Sequence, residues 1–170
     1  MHATTIYTVG HSNHRADRFL GLLKGTGIEL LVDVRSRPYS RWALYANRRE
    51  LPSLLAEAGM EYLFLGEQLG GRPRGGSHDS GAGMPDRELM QGRPEFKQGL
   101  ARLLAEAGRR RTCIMCAEED PLRCHRHFLI ADALRRSSVQ VLHIRGTGEV
   151  QDDEDIRPDG TGSEQLRLPW

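Results

Sequence analysis

The strongest constraint on this chain is a regular alternation of short apolar strand patterns with amphipathic helix patterns, running from Ile6 to Ile144. Such alternation folds as an α/β layer structure around a mostly parallel sheet, because each crossover must bury one helix face against the strands. Ile6-Tyr-Thr-Val9, the almost wholly apolar Leu30-Leu-Val-Asp-Val34, Glu61-Tyr-Leu-Phe-Leu65, Thr112-Cys-Ile-Met-Cys116 and Val139-Gln-Val-Leu-His-Ile144 read as strands. Between them, Phe19, Leu22 and Leu23 share one helical face. Leu51, Leu54, Leu55 and Ala58 share a second, with Pro52 confined to its first turn. Phe96, Leu100, Leu103, Leu104 and Ala107 form a third, and Ile130, Ala133 and Leu134 a fourth, running from about His125 to Arg136. The expected fold is a three-layer α/β/α domain over residues 1–145, with a mostly parallel sheet of about five strands.

Two stretches break the alternation. Residues 70–92 are rich in Gly and Pro, and a loop of that length inside a compact domain suggests a lid or binding loop. Residues 146–170 are polar and acidic and read as a disordered tail. No apolar run approaches the ~20 residues of a membrane span, and the N-terminus lacks a signal pattern, so a cytoplasmic protein without membrane association is expected. A net charge of +1 argues against charge-driven binding to nucleic acid as a whole, while leaving room for a local basic patch.

In an open parallel sheet, ligands bind beyond the carboxyl ends of the strands. The first strand delivers His11 and Ser12 there, the second Asp33 and Arg35, and the third leads to Arg72. The fourth delivers Cys116-Ala-Glu-Glu-Asp-Pro-Leu-Arg-Cys-His-Arg126, where a strand ends, the chain turns at Pro121 and a helix begins. Helix-start amides with Arg123 and Arg126 favour an anion, and the same field favours a thiolate at Cys116 or Cys124. Glu118, His125 and His11 are the acid/base candidates, and Asp33 and Arg35, two apart on one strand, share a face. Arg123 follows Cys116 by one residue too many for a phosphatase-like loop. Cys113, Cys116, Cys124 and His125 have the types of a zinc set, but Cys113 and Cys116 point to opposite faces of their strand, so no metal and no cofactor is expected. His2, His14, His78, His127 and His143 fall in no pattern.

Taken together, Thr8-Val-Gly-His-Ser-Asn13, Leu31-Val-Asp-Val-Arg-Ser36, Leu69-Gly-Gly-Arg72, Met115-Cys-Ala-Glu118 and Arg123-Cys-His-Arg126 give the chain a clear likeness. It resembles the family known as domain of unknown function 488, over about residues 5 to 144. The resemblance implies an α/β/α fold with a pocket using His11, Asp33, Arg35, Cys116, Glu118, Cys124, His125 and Arg126, and it carries a weak association with DNA repair. A fainter likeness to rhodanese-type sulfurtransferases rests on Asp33-Val-Arg35 and the later cysteine, without the compact loop that cradles a persulfide.

The function expected is an enzyme acting on a phosphorylated or otherwise anionic ligand, a nucleotide or a nucleic-acid end. Arg35, Arg123 and Arg126 would clamp the anion, with Ser12 and Arg72 as further contacts, while Cys116 or Cys124 supplies the nucleophile. The alternatives are rhodanese-like sulfur transfer and a non-catalytic nucleotide or nucleic-acid binding module.

Overall fold

A computed structural model describes residues 4–72 and 86–156 of the chain. Strands β1 (Thr5–Gly10), β2 (Leu30–Asp33), β3 (Glu61–Phe64), β4 (Thr112–Cys116), β5 (Gln140–Ile144) and β6 (Val150–Asp152) form one sheet in the order β3-β2-β4-β1-β5-β6. All neighbours pair parallel except β5 with β6. Helices α1 (Ala16–Gly25) and α2 (Leu51–Glu57) follow the first two strands. Short α3 (Gly66–Leu69) and α4 (Arg87–Gly92), then α5 (Pro94–Ala107), lie between β3 and β4. A π-helical turn, Arg126–Ala131, runs into α6 (Asp132–Arg135).

Alternation along the strands divides the core in two. Val9, Leu31, Cys113 and Met115 pack with Phe19 and Leu23 of α1 and Leu51 and Leu55 of α2. Ile6, Val32, Ile114 and Cys116 face the other way, towards Phe96 and Leu103 of α5 and Leu129 and Leu134. Helices therefore cover both faces, giving the three layers expected, and they are placed by the period-two pattern of the strands. No helix among the described residues is long and apolar enough to cross a membrane.

The structure adds elements that composition had hidden. Part of the 70–92 stretch is helical: Asp86 caps α4, its carboxylate accepting from the Leu89 amide at 3.2 Å. Residues 73–85, the heart of the expected loop, lie outside the described residues. The boundary at 145 also differs from what the sequence suggests, because the chain turns back, pairs Val150–Asp152 with β5 and buries Asp153. Acidic composition favours solvation only while the carboxylates lack partners, and Asp153 has three. Residues 157–170 lie outside the described residues.

What matters for the site is the insertion of β4 between β1 and β2. Gly10 pairs with Cys116 and Asp33 with Met115, so the carboxyl ends of the three central strands lie side by side.

Candidate functional site

Beyond the strand ends the ladder continues for a residue or two. The His11 amide donates to the Cys116 carbonyl at 2.9 Å and the Ser12 amide to Ala117 at 2.8 Å. Gly10 has no room for a side chain, since a Cβ there would collide with the Glu118 carbonyl. This close approach carries the chain after Cys116 across the top of β1.

Two groups meet at this edge, the first buried and the second half-open, with buried thiols and an exposed Glu118. In the first, Asp33 is fully buried and receives the Arg35 amide at 3.1 Å, Arg35 Nε at 2.9 Å and Nη2 at 2.7 Å, and the Tyr62 hydroxyl at 2.8 Å. Arg35 also donates to the Ala46 carbonyl and, through Nη1, to His11 Nε2 at 3.1 Å. His11 Nδ1 faces the Ser12 carbonyl at 2.7 Å, which can only accept, so the proton sits on Nδ1 and Nε2 receives the guanidinium. Burial, then the Arg35 charge, push the His11 pKa down and keep the ring neutral.

The second group is built from Cys116, Glu118, Cys124 and His125. His125 Nε2 lies 3.1 Å from the Val34 carbonyl, which fixes the proton on Nε2 and leaves the Nδ1 lone pair free. That lone pair faces Cys116 Sγ at 3.5 Å and Cys124 Sγ at 3.9 Å. Glu118 Oε2 lies 3.3 Å from Cys116 Sγ. Burial pushes the Glu118 carboxyl up, but its own backbone amide and the two thiols outweigh this and hold it below its ordinary value. Burial raises Cys124, and raises Cys113 on the opposite face of the sheet, so both are held as thiols. Cys116 retains 5% exposure.

Of the arginines expected to clamp an anion, two are engaged inside the protein. Arg126 is 0% exposed and donates to Thr8 Oγ1 at 3.1 Å, to the Glu119 carbonyl at 2.7 Å and to the Glu118 carbonyl. It anchors the 116–126 segment, and Arg35 orders Asp33 and His11. Arg123 points to solvent with its side chain 84% exposed. The three do not form a clamp: a guanidinium saturated by carbonyls and a carboxylate has little left for a ligand. Glu119 is likewise structural. Two bonds from Arg145, at 3.0 and 3.1 Å, and one from the Gly146 amide bring its carboxyl down to about 2.

Arg72 does face an opening. With Glu67, Gln68, Gly70, Arg93, Glu95 and Phe96 it lines a cleft of about 240 Å³, so two guanidinium groups and two carboxylates share its wall. The cleft does not reach Cys116 itself. Between its lining residues Gly70 and Arg72, Gly71 packs against the thiol cluster, where a Cβ would come within 2.9 Å of the His125 ring. The Arg72 amide is pinned to Ser36 Oγ at 3.0 Å, so this lip stays against the histidine. Ser12 is not part of this cleft; it follows His11 with a left-handed φ of 47°.

A further buried cluster had no sequence signal. His127 Nδ1 and His143 Nε2 lie 2.6 and 2.9 Å from the same Asp153 oxygen, whose partner oxygen takes Arg135. His143 Nδ1 contacts the Thr8 hydroxyl at 2.6 Å, and that hydroxyl is also held by Arg126. With guanidinium groups on two sides, the cluster is a structural network joining β1, the π-helical turn and the segment after β6. Only the convergence of distant elements reveals it, as none of His127, His143 and Asp153 shares a local pattern.

Fold and site together define an α/β domain with a cysteine–histidine–carboxylate cluster at the carboxyl edge of its sheet, its two thiols buried. Over residues 15–134, more than half of its length, the chain matches the family described as domain of unknown function DUF488, and it belongs to that family. The matched span holds Asp33, Arg35, Cys116, Glu118 and the Cys124-His-Arg126 run, while His11 and Ser12 precede it. No curated protein and no solved structure matches the chain.

Proposed function

We propose that this domain is an enzyme in which Cys116 is the nucleophile and His125 its general base, acting on a phosphorylated or otherwise anionic ligand such as a nucleotide or nucleic-acid end. One observation carries the reading: Cys116 Sγ lies 3.5 Å from a histidine nitrogen whose ring is oriented by a backbone carbonyl on its far side. A nucleophile, a base within reach and a third group orienting the base make up the arrangement that activates a thiol. Glu118 takes part as the adjoining acid/base group, and the Asp33–Arg35–His11 network forms the neighbouring wall. The ligand's charge would meet Arg72 and Arg93 at the cleft, against the neighbouring Glu67 and Glu95, in place of the internal Arg35 and Arg126.

The test is alkylation of each cysteine in the folded, metal-free protein, followed by mass spectrometry, with and without phosphate esters. Cys116 is expected to react first, to slow when His125 is replaced by Ala, and to be protected by phosphate esters in wild type but not in Arg72→Ala. A Cys116 that stays inert until the protein unfolds would end the nucleophile reading. A second reading, sulfur transfer, draws on the Cys124 thiol beside Cys116, and persulfide on Cys116 after thiosulfate treatment would favour it.

A further inference from the structure

The geometry points to a site for one soft divalent cation of the zinc type, held by Cys116 Sγ, Cys124 Sγ, His125 Nδ1 and Glu118 Oε2. This goes beyond the proposed reaction and stands without it. Metal at these atoms would occupy the Cys116 nucleophile and the His125 lone pair, so the metal-bound form is a masked form of the same site.

The argument is one of distances. A tetrahedral zinc with Zn–S of ~2.3 Å and Zn–N of ~2.0 Å needs its sulfur and nitrogen ligands about 3.5 Å apart. The separations from His125 Nδ1 are 3.5 Å to Cys116 Sγ and 3.9 Å to Cys124 Sγ. An oxygen ligand at ~2.1 Å calls for a sulfur–oxygen edge of about 3.6 Å, and Glu118 Oε2 stands 3.3 Å from Cys116 Sγ. Cys116, Cys124 and His125 place their ligand atoms all within 4.8 Å of one another. A cation can therefore be taken by these three atoms through side-chain adjustment alone, while the Glu118 carboxylate, in contact with Cys116 but outside this group of three, turns in to complete the set.

The surroundings are those of a metal ligand set. His125 presents Nδ1 inward because its other nitrogen is held by the Val34 carbonyl, the outer-shell bond that sets tautomer and ring orientation in metal sites. Two thiolates and a carboxylate around a divalent ion leave one negative charge, and the buried guanidinium of Arg126, on the residue next to His125, adjoins the cluster to offset it. Softness selects the ion, because two sulfurs and an imidazole favour zinc over magnesium or calcium. Cys113 takes no part, since it packs in the core on the other face of the sheet. The zinc set considered from the sequence is thus completed by Glu118 in place of Cys113. The His127–His143–Asp153 cluster differs in kind, because Arg135 already occupies its carboxylate.

The experiment is titration of the full-length, reduced, chelator-treated protein with cobalt(II), followed by displacement with zinc(II). One equivalent of cobalt should bind with tetrahedral d–d bands and thiolate-to-cobalt charge-transfer absorption, and one equivalent of zinc should abolish both. Cys116→Ser and Cys124→Ser should each lose about half of the charge-transfer intensity, while Cys113→Ser leaves it unchanged. Circular dichroism checks that the variants are folded, and Glu118→Gln, which keeps both thiols, should weaken binding without removing the charge-transfer band. Absence of thiolate–cobalt absorption in folded wild type would overturn the inference, as would full intensity in both Cys116→Ser and Cys124→Ser. The two readings fail separately: a reactive metal-free Cys116 without cobalt binding sinks only the metal site, and cobalt binding with an inert metal-free Cys116 sinks only the nucleophile.

Discussion

His143 Nε2 lies 2.9 Å from Asp153 Oδ1, a contact that ties the segment after β6 to β5, the neighbour of β1 in the sheet. Both side chains are buried, and the same carboxylate holds His127 and Arg135. The stretch beyond Ile144 is therefore part of what supports the site, since His143 passes the connection through Thr8 to Arg126 and so to the carbonyls of Glu118 and Glu119.

Replacing Asp153 by Ala strands two buried imidazoles and a guanidinium at once. Removing one partner of a buried, hydrogen-bonded ion pair costs about 3 kcal/mol or more. For a chain of this size that is a drop of roughly 6–12 °C in Tm. Thermal unfolding followed by circular dichroism measures it. A Tm unchanged from wild type would mean that the segment after Ile144 only decorates the domain.

Acid should weaken the fold in two stages. His11 and His143 both have folded pKa values lowered by burial, so the unfolded chain takes up protons that the native state refuses. Their contribution is complete above the unfolded value of about 6.5 and is lost as pH falls from there through the folded values. Glu119, lowered to about 2, and Asp153, also lowered, add a second loss below about pH 4, the unfolded carboxylate range. The urea midpoint should be flat above about pH 7 and decline between pH 7 and 5. A midpoint that rises on acidification through that range would contradict the neutral, buried assignment.

Much of this architecture was legible because it depends on local patterns. Period-two apolar runs located the strands, and Phe19-Leu22-Leu23 and Phe96-Leu100-Leu103 marked helix faces that do pack on opposite sides. The two-residue spacing of Asp33 and Arg35 put them on one face, which allowed their pairing but equally an Arg35 turned towards a ligand. The strand end at Cys116 marked the chemical segment, and strand alternation separated Cys113 from Cys116. Long-range geometry was not legible. Whether Arg126 grips a ligand or the fold depends on where Thr8 and the Glu118 carbonyl lie relative to it, which no residue type encodes. His127, His143 and Asp153 come from three elements, and the acidic run around Asp153 has the composition of a solvated tail.

Gly71 offers control of His125 without touching the cluster itself. In Gly71→Ala the new methyl would sit 2.9 Å from His125 Cγ, and the chain has little freedom to retreat because Arg72 is bonded to Ser36. The ring must move, and misplacing a catalytic base by about an ångström costs roughly tenfold to a hundredfold in rate. Cys116 alkylation should slow by that order, with Tm shifted little. Wild-type reactivity in a folded Gly71→Ala protein would show that His125 does not set the reactivity of the thiol.

Arg126→Lys separates the two roles an arginine can play at this edge. An ammonium is a compact point charge, and one shorter side chain does not reach Thr8 Oγ1 and the carbonyls of Glu118 and Glu119 with the geometry of a planar fork. At least one buried acceptor loses its partner, at a cost of about 1–3 kcal/mol, and the 116–126 segment loosens with it. Stability should fall and exchange of the amides from Ala117 to Cys124 should accelerate, both measurable without any ligand. A residue serving as an anion clamp gives the opposite pattern: stability unchanged, with phosphate-ester protection of Cys116 weakened. Since Arg126 is wholly buried with its guanidinium engaged on three sides, the first pattern is expected, and the second belongs to Arg72 at the cleft.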